Sequence, residues 1–216
     1  MSVALDHLVV AAPSLAQGVQ WCEAVLGVTP GPGGKHPLMG THNRLFAIGS
    51  EALPQVFFEI IAIDPDAAAP GRARWFGLDA IDLSAGPRLL HWVARCDAID
   101  ARCAALAAAG FDTGRAIAAS RDTPQGRLEW RISVRDDGAL LAGGALPTLI
   151  DWGATTPPSV SMPASGVTLR GFTLGGLAHA AARALDLQGF DLATGAGPAI
   201  TATLDTPRGR VILRSH

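Results

Sequence analysis

Cysteine is scarce in this chain of 216 residues: there are three, an odd number, and no two of them form a Cys-x-x-Cys pair. Nothing in them points to a disulfide framework or a paired-thiol motif. Cys22 and Cys103 fall on the apolar faces of predicted helices, so buried, reduced thiols are expected. Charge is thin as well. The formal net charge is −2 and no block of like charge occurs, whereas nucleic acid and anionic membranes call for a basic surface that releases counterions. No uninterrupted apolar run approaches the roughly 20 residues a membrane helix needs. The opening MSVALDHLVV lacks a basic leader and carries Asp6 and His7 where a secretory signal would be apolar. These absences predict a soluble, cytoplasmic protein whose partner is a small organic molecule, with no nucleic acid and no membrane. A homodimer is compatible with them.

What is present is hydrophobic residue, 49% of the chain, enough for a sizeable core. The length suits one large domain or two small repeated ones. Residues 5–11 read as a short apolar strand interrupted by His7. Ser14 is placed to cap a helix whose stripe is Leu15, Val19, Cys22 and Leu26, and Gly27 closes it. A Gly/Pro-rich loop, residues 29–40, has room for one short strand. Strands are predicted over residues 43–48 and 55–63.

The order then repeats. Residues 89–96 read as a strand and Asp97 is placed to cap a helix with the stripe Ile99, Cys103 and Leu106, closed by Gly110. Residues 127–134 alternate cleanly, with Leu128, Trp130, Ile132 and Val134 on one face. Asp137-Gly138 signals a hairpin, and Leu140-Leu141 and residues 148–152 supply returning strands. Two copies of one supersecondary unit follow from this. The boundaries are 1–64 for the first βαβββ module, 65–87 for a connector, 88–153 for the second module, and 165–216 for a C-terminal βαββ extension, a partial third module.

The residues that carry this pattern also resemble a known family. They are Leu5-Asp6-His7-Leu8-Val9, Gly33-Gly34-Lys35-His36-Pro37 with Gly40-Thr41-His42-Asn43-Arg44-Leu45, Phe58-Glu59-Ile60-Ile61-Ala62-Ile63-Asp64-Pro65, Arg74-Trp75-Phe76-Gly77-Leu78, His91-Trp92-Val93 and Leu149-Ile150-Asp151-Trp152. The chain resembles the glyoxalase-like domain proteins of the vicinal-oxygen-chelate superfamily. The resemblance implies an α+β fold in which paired modules curl their sheets into a cup. It also implies metal ligands taken from a His on the first strand and a Glu on the last strand of a module. His7 and Glu59 match those positions. In the second module Trp92 occupies the histidine position and Asp151 falls where the second carboxylate would be, so the four-ligand set is incomplete.

Read as residues, Glu59 has Phe57, Ile61 and Ile63 on its own strand face and Val56, Phe58, Ile60 and Ala62 on the other. A carboxylate there must find a cation, a metal or a proton; the alternative is a strand-edge charge in water. His7 shares a face with Leu5, Val9 and Ala11, and pairs with Glu59 across the predicted sheet or is a satisfied core histidine. The pair suits Zn, Mn or Fe as a divalent ion, but two ligands are too few for tight binding. His42, Asp151 or water would complete the shell.

In GGKHPLMGTHNRL, His36 and His42 carry no standard ligand spacing. Thr41 and Asn43 are expected to line the cup by hydrogen bonding, with His42 a weaker ligand; the alternative is a solvated rim. Trp92 and Trp152 are expected to supply a stacking wall for an organic substrate, or to be ordinary core. The expected function is a small-molecule lyase, isomerase or dioxygenase, metal-assisted or using His7 and Glu59 as an acid/base pair. A metal-free protein that binds or sequesters a small molecule is the alternative.

Overall fold

The computed structural model describes residues 3–123, 126–187 and 190–215. The first half is β1 (Ala4–Ala11), α1 (Leu15–Val25), β2 (Lys35–His36), β3 (Thr41–Ala47) and β4 (Phe57–Ile63). After a connector holding a short 3₁₀ turn (Trp75–Gly77) come β5 (Arg88–Arg95), α2 (Ile99–Ala108), β6 (Arg115–Thr123), β7 (Gly126–Val134) and β8 (Thr148–Asp151). Each half therefore has the order βαβββ. Within each, the first strand pairs in parallel with the last, β1 with β4 and β5 with β8. The halves join by antiparallel pairing of β1 with β5, giving one eight-stranded sheet ordered β2-β3-β4-β1-β5-β8-β7-β6.

The sheet is so curled that its two edges meet. His36 on β2 lies edge-on to Trp130 of β7, ring centroids 6.2 Å apart. Gly34, just before β2, passes under Arg121 of β6 so closely that a Cβ there would stand 2.6 Å from the guanidinium. The concave face holds Val9, Ala11, Ile61, Val93, Trp130, Ile132 and Ile150.

The convex face carries Leu8, Val10, Phe58, Ile60, Trp92 and Leu149, and it is covered by the helices and the C-terminal unit. Ser14 caps α1 by accepting from the Gln17 amide at 3.3 Å. Gly27, at φ +73, donates to the Cys22 carbonyl and turns the chain out of the helix. Gly18 lets α1 press on β4: a Cβ there would come 2.3 Å from Ile60 Cγ2. Because Ile60 is clamped beneath the helix, the alternation of the strand turns Glu59 to the concave side.

The C-terminal unit is β9 (Thr168–Gly175), α3 (His179–Leu185), β10 (Asp191–Ala193), β11 (Ile200–Thr206) and β12 (Gly209–Arg214). It has one more strand than the expected βαββ, and its wiring differs from that of the two halves. β9 pairs in parallel with β10, the strand directly after the helix, and antiparallel with β11. Phe172 and Phe190 pack on Trp92, with centroids at 5.3 and 5.4 Å.

The second half departs from expectation at three places. Residues 115–123 form a strand, β6, that the sequence did not announce, and Leu140-Leu141 forms none, leading instead into a 3₁₀ turn (Ala142–Gly144). Asp97 does not cap α2. The N-cap is Ala98 in a left-handed conformation, without a side-chain cap. The carboxylate of Asp151 accepts from the Ile99 amide at 3.4 Å in its place.

Candidate active site

A polar cluster on the concave face is built from β1 to β4. In β1 the pairing to β5 slips between Leu5 and His7, leaving Asp6 as an inserted residue. A bulge of this kind re-aims side chains, so neighbours that would face opposite ways can act together. Asp6 Oδ1 lies 2.7 Å from His7 Nδ1, and Asp6 Oδ2 accepts from Trp152 Nε1 at 3.0 Å. The other ring nitrogen, His7 Nε2, lies 3.5 Å from Glu59 Oε2. The imidazole stacks on Phe57 at 4.4 Å, which fixes its plane. Both His7 and Glu59 are buried.

Glu59 is held from its other side. Asn43 Nδ2 donates to Glu59 Oε1 at 2.6 Å, and the Gly34 amide donates to Asn43 Oδ1 at 2.8 Å, which orients the amide. Asn43 Nδ2 also lies 3.4 Å from His36 Nε2, while His36 Nδ1 lies 3.0 Å from Thr41 Oγ1. With nitrogen on the amide side, His36 is consistent with an imidazole whose Nε2 accepts and whose Nδ1 carries the proton. Glu59 thus sits between a cation and an amide donor.

The two histidines carry opposite charge states. Burial pulls the His7 pKa down, but hydrogen bonds to Asp6 and Glu59 and their charges outweigh it, raising it to about 9. Burial pushes His36 down to about 4, against the attraction of Glu59. Burial likewise raises the Glu59 carboxyl, but the hydrogen bond and charge of His7 prevail and hold it below its ordinary value. At neutral pH Glu59 is a carboxylate facing an imidazolium at His7, with a neutral imidazole at His36.

These groups open on a small cavity of about 40 Å³ whose remaining walls are aromatic and aliphatic: Trp75, Phe76, Trp130, Trp152, Ile132 and Ile150 among them. Trp75 and Phe76 come from the connector, which lies over the cup and is pinned there. The Gly77 amide donates to the Gly138 carbonyl at 2.8 Å, and Arg74 bonds Asp79 at 2.6 Å. Phe76 itself adopts φ +60, an uncommon conformation for a bulky residue. Arg121 of β6 completes the lining. Burial lowers its pKa, opposed by the charge of Glu59.

Of the residues expected at the site, His7, Glu59, Asn43 and Trp152 line this cavity, and Thr41 supports it through His36. Three others are placed elsewhere. His42 points from the opposite face of β3, its Nδ1 3.9 Å from Asp64 Oδ1, and cannot join His7. Trp92 is fully buried on the convex side and donates its indole N–H to the Ala145 carbonyl at 2.9 Å. Asp151 is spent on the start of α2 and on the Gly153 amide.

The strand registers explain the misplacement. His7 lies opposite Phe57, two residues before Glu59, while Val93 lies opposite Thr148, two residues before Ile150. Val93 and Ile150, not Trp92 and Asp151, are the counterparts of His7 and Glu59. Asp6, His36, Trp130 and Arg121 are site residues that the sequence reading did not select.

The superfamily's metal chemistry asks for more donors than this cup provides. Val93 and Ile150 are apolar, Asn43 turns its N–H₂ group to Glu59, and Asp6 binds the far nitrogen of His7. Among the described residues no group of three or more His, Cys, Asp or Glu is placed to hold a metal ion. The donor set does not fit a resident divalent ion.

A family model described as a glyoxalase-like domain matches residues 5–193. Among solved structures, the chain is similar to a hypothetical protein from Staphylococcus aureus, with 14% identity over 98% of this chain and 85% of that one, at a TM-score of 0.60. It also matches methylmalonyl-CoA epimerase from Mycobacterium tuberculosis, with 19% identity over 69% of this chain and 88% of that one, at a TM-score of 0.41. A methylmalonyl-CoA epimerase in complex with methylmalonyl-CoA and NH4+ matches at 15% identity over 73% of this chain and 100% of that one, with a TM-score of 0.45. The first of these is a likeness of fold.

Proposed function

Because the chain belongs to the glyoxalase-like domain family of the vicinal-oxygen-chelate superfamily, we propose that it is a small-molecule enzyme whose His7–Glu59 pair moves a proton next to a carbonyl group. The observation that carries this reading is the unshared edge of the pair. Glu59 Oε1 is taken by Asn43 at 2.6 Å, while Oε2 meets His7 Nε2 only at 3.5 Å, an ion-pair distance. Both atoms therefore keep bonding capacity for a third group, in a cavity whose other walls are largely aromatic and aliphatic.

In the proposed step Glu59 Oε2 removes a proton from a carbon beside a carbonyl. The C–H electron pair becomes an enolate, and the His7 Nε2–H stabilises its oxygen by a charge-assisted hydrogen bond. Asp6 keeps the imidazole charged and correctly turned. Return of the proton from Glu59 to the neighbouring carbon of a hydroxylated substrate would isomerise, and expulsion of a leaving group from the next carbon by the enolate electron pair would make a lyase. The step needs no oxidant and no metal.

The test is hydrogen–deuterium exchange. In D₂O, 2-oxobutanoate and butanone are followed by proton NMR with the wild-type protein and with Glu59→Gln. Exchange beside the carbonyl above the buffer rate, lost in Glu59→Gln, is the expected result. The aromatic lining favours one other reading, a protein that holds a small molecule without transforming it. Saturable binding with no exchange for any carbon acid would favour that reading.

A further inference from the structure

We infer that Arg121 makes the cup a receptor for organic anions, taking the carboxylate of a substrate with an apolar body while Glu59 faces its reacting carbon; this rests on the proposed proton-transfer reading of the same cavity.

Arg121 stands on β6 with Ile117 and Ala119, the set of alternate residues that faces the concave side. It shares the cavity lining with Glu59, His7 and Asn43. Among the described residues it has no hydrogen bond and no carboxylate within ion-pair distance, in contrast to Arg74, Arg115, Arg131 and Arg135, each of which is paired. A guanidinium that is partly withdrawn from water and lacks a bonded acceptor keeps five donors available. Its planar fork matches a carboxylate bidentately.

The surroundings hold the group at that place. Arg121 crosses the seam between the sheet edges over Gly34, where a Cβ would stand 2.6 Å from Nη1 and 3.1 Å from Cδ. Gly34 is bonded in turn to Asn43, and Asn43 to Glu59, so one short chain of contacts fixes the cation relative to the base. Charge balance points the same way. The carboxylate of Glu59 shares the cavity, and its charge would repel an anion were Arg121 absent. The rest of the wall is Trp75, Phe76, Trp130 and Trp152, with Ile132 and Ile150, which suits an aromatic or aliphatic body and no second charge.

The test compares two ligands that differ in charge and little else, phenylacetate and phenylacetamide, by isothermal titration calorimetry. Wild type is expected to prefer the anion. Arg121→Gln should weaken phenylacetate roughly tenfold to a hundredfold, the range for a charge-assisted hydrogen-bonded pair, and leave phenylacetamide unchanged. Arg121→Lys should recover part of the loss, since it keeps the charge without the fork. Gly34→Ala leaves the charge in place but displaces the guanidinium, and should also weaken the anion selectively. Unchanged thermal unfolding of each variant shows that the sheet seam is intact.

Equal affinities for the two ligands in wild type, an equal loss of both in Arg121→Gln, or no saturable binding of phenylacetate at millimolar concentration overturns the inference. Its failure is separable from that of the proton-transfer reading. Exchange lost in Glu59→Gln with no anion preference sinks Arg121 alone, whereas anion preference without exchange leaves Arg121 standing and sinks the reading of Glu59.

Discussion

Glu59 and His7 face each other at 3.5 Å from adjacent parallel strands, and each has its remaining edge occupied, His7 by Asp6 and Glu59 by Asn43. Neither residue is in its ordinary ionisation range. The carboxylate is held low by His7, and the imidazolium is held up to about 9 by Asp6 first and Glu59 second. Glu59→Gln keeps the shape and the contact to Asn43 while removing that charge. The His7 pKa, followed by the NMR shifts of its ring protons, should drop below about 9, and catalysed exchange should fall by a factor on the order of 10² or more. A His7 titration unchanged by the substitution would sink the coupling.

The same histidines set the dependence of stability on pH. His7 is raised from 6.5 to about 9, so its contribution is complete below pH 6.5 and is lost as pH rises through about 9. His36 and His91 are depressed to about 4 and about 3, chiefly by burial, so their contributions are complete above pH 6.5 and are lost as pH falls. Glu59 adds to the acid limb. Urea unfolding should therefore give a stability maximum near pH 6.5 that declines on both sides. The alkaline loss should be a few kcal/mol, at about 1.4 kcal/mol per pKa unit. In Glu59→Gln the alkaline limb should still begin near pH 6.5 but end at a lower pH, with a smaller total loss. Stability that increases from pH 6.5 to 9 in the wild type would contradict the assignment of His7 as a cation.

The architecture was legible because it is written in periodic signals. Alternation in residues 127–134, helix stripes closed by Gly27 and Gly110, and the repeat of strand, helix and strands all survive in the structure. What escaped has a physical cause in each case. β6 is rich in alanine and charged residues, RAIAASRDT, and takes its place from pairing along the whole length of β7, not from its own composition. Arg121 was lost with it. Trp92 was matched to His7 by the similarity of the residues that follow each of them. The pairing places the match one residue later, at Val93, and a slip of one residue moves a side chain to the other face of a sheet. Asp6 was hidden because only a bulge turns it to the same site as its neighbour.

Divalent ions should not stabilise the protein. An ion would have to displace the His7 proton at a pKa of about 9, against the carboxylates of Asp6 and Glu59 that hold it, while gaining two protein donors. Thermal unfolding with Zn, Mn, Fe, Co or Ni ions is expected to match that in chelator. Ion-dependent stabilisation that disappears in Glu59→Gln would locate a metal at the pair and reverse this conclusion.

The equivalence of the two halves makes a sharper demand. If Val93 and Ile150 are the counterparts of His7 and Glu59, then Val93→His with Ile150→Glu places a second imidazole and a second carboxylate on the concave face, opposite the first pair. Val93 is fully buried and Ile150 nearly so, and the new groups lack the partners that Asp6 and Asn43 give the old ones. Without metal the double variant should be destabilised by about 3–5 kcal/mol, the cost of uncompensated buried charge. Zn or Ni ions should restore much of that loss, because four donors would then converge where the wild type has two. Each single variant supplies only three donors and should recover less. The readout is the melting temperature with and without ion, compared with the wild type and with Trp92→His plus Asp151→Glu, the pair suggested by sequence alone. Rescue of that second pair by the ion, and not of the first, would show that the strand register has been read one residue out. Rescue of Val93→His with Ile150→Glu alone would mean that this chain keeps the cup of a four-ligand site with half of its donors replaced by hydrocarbon.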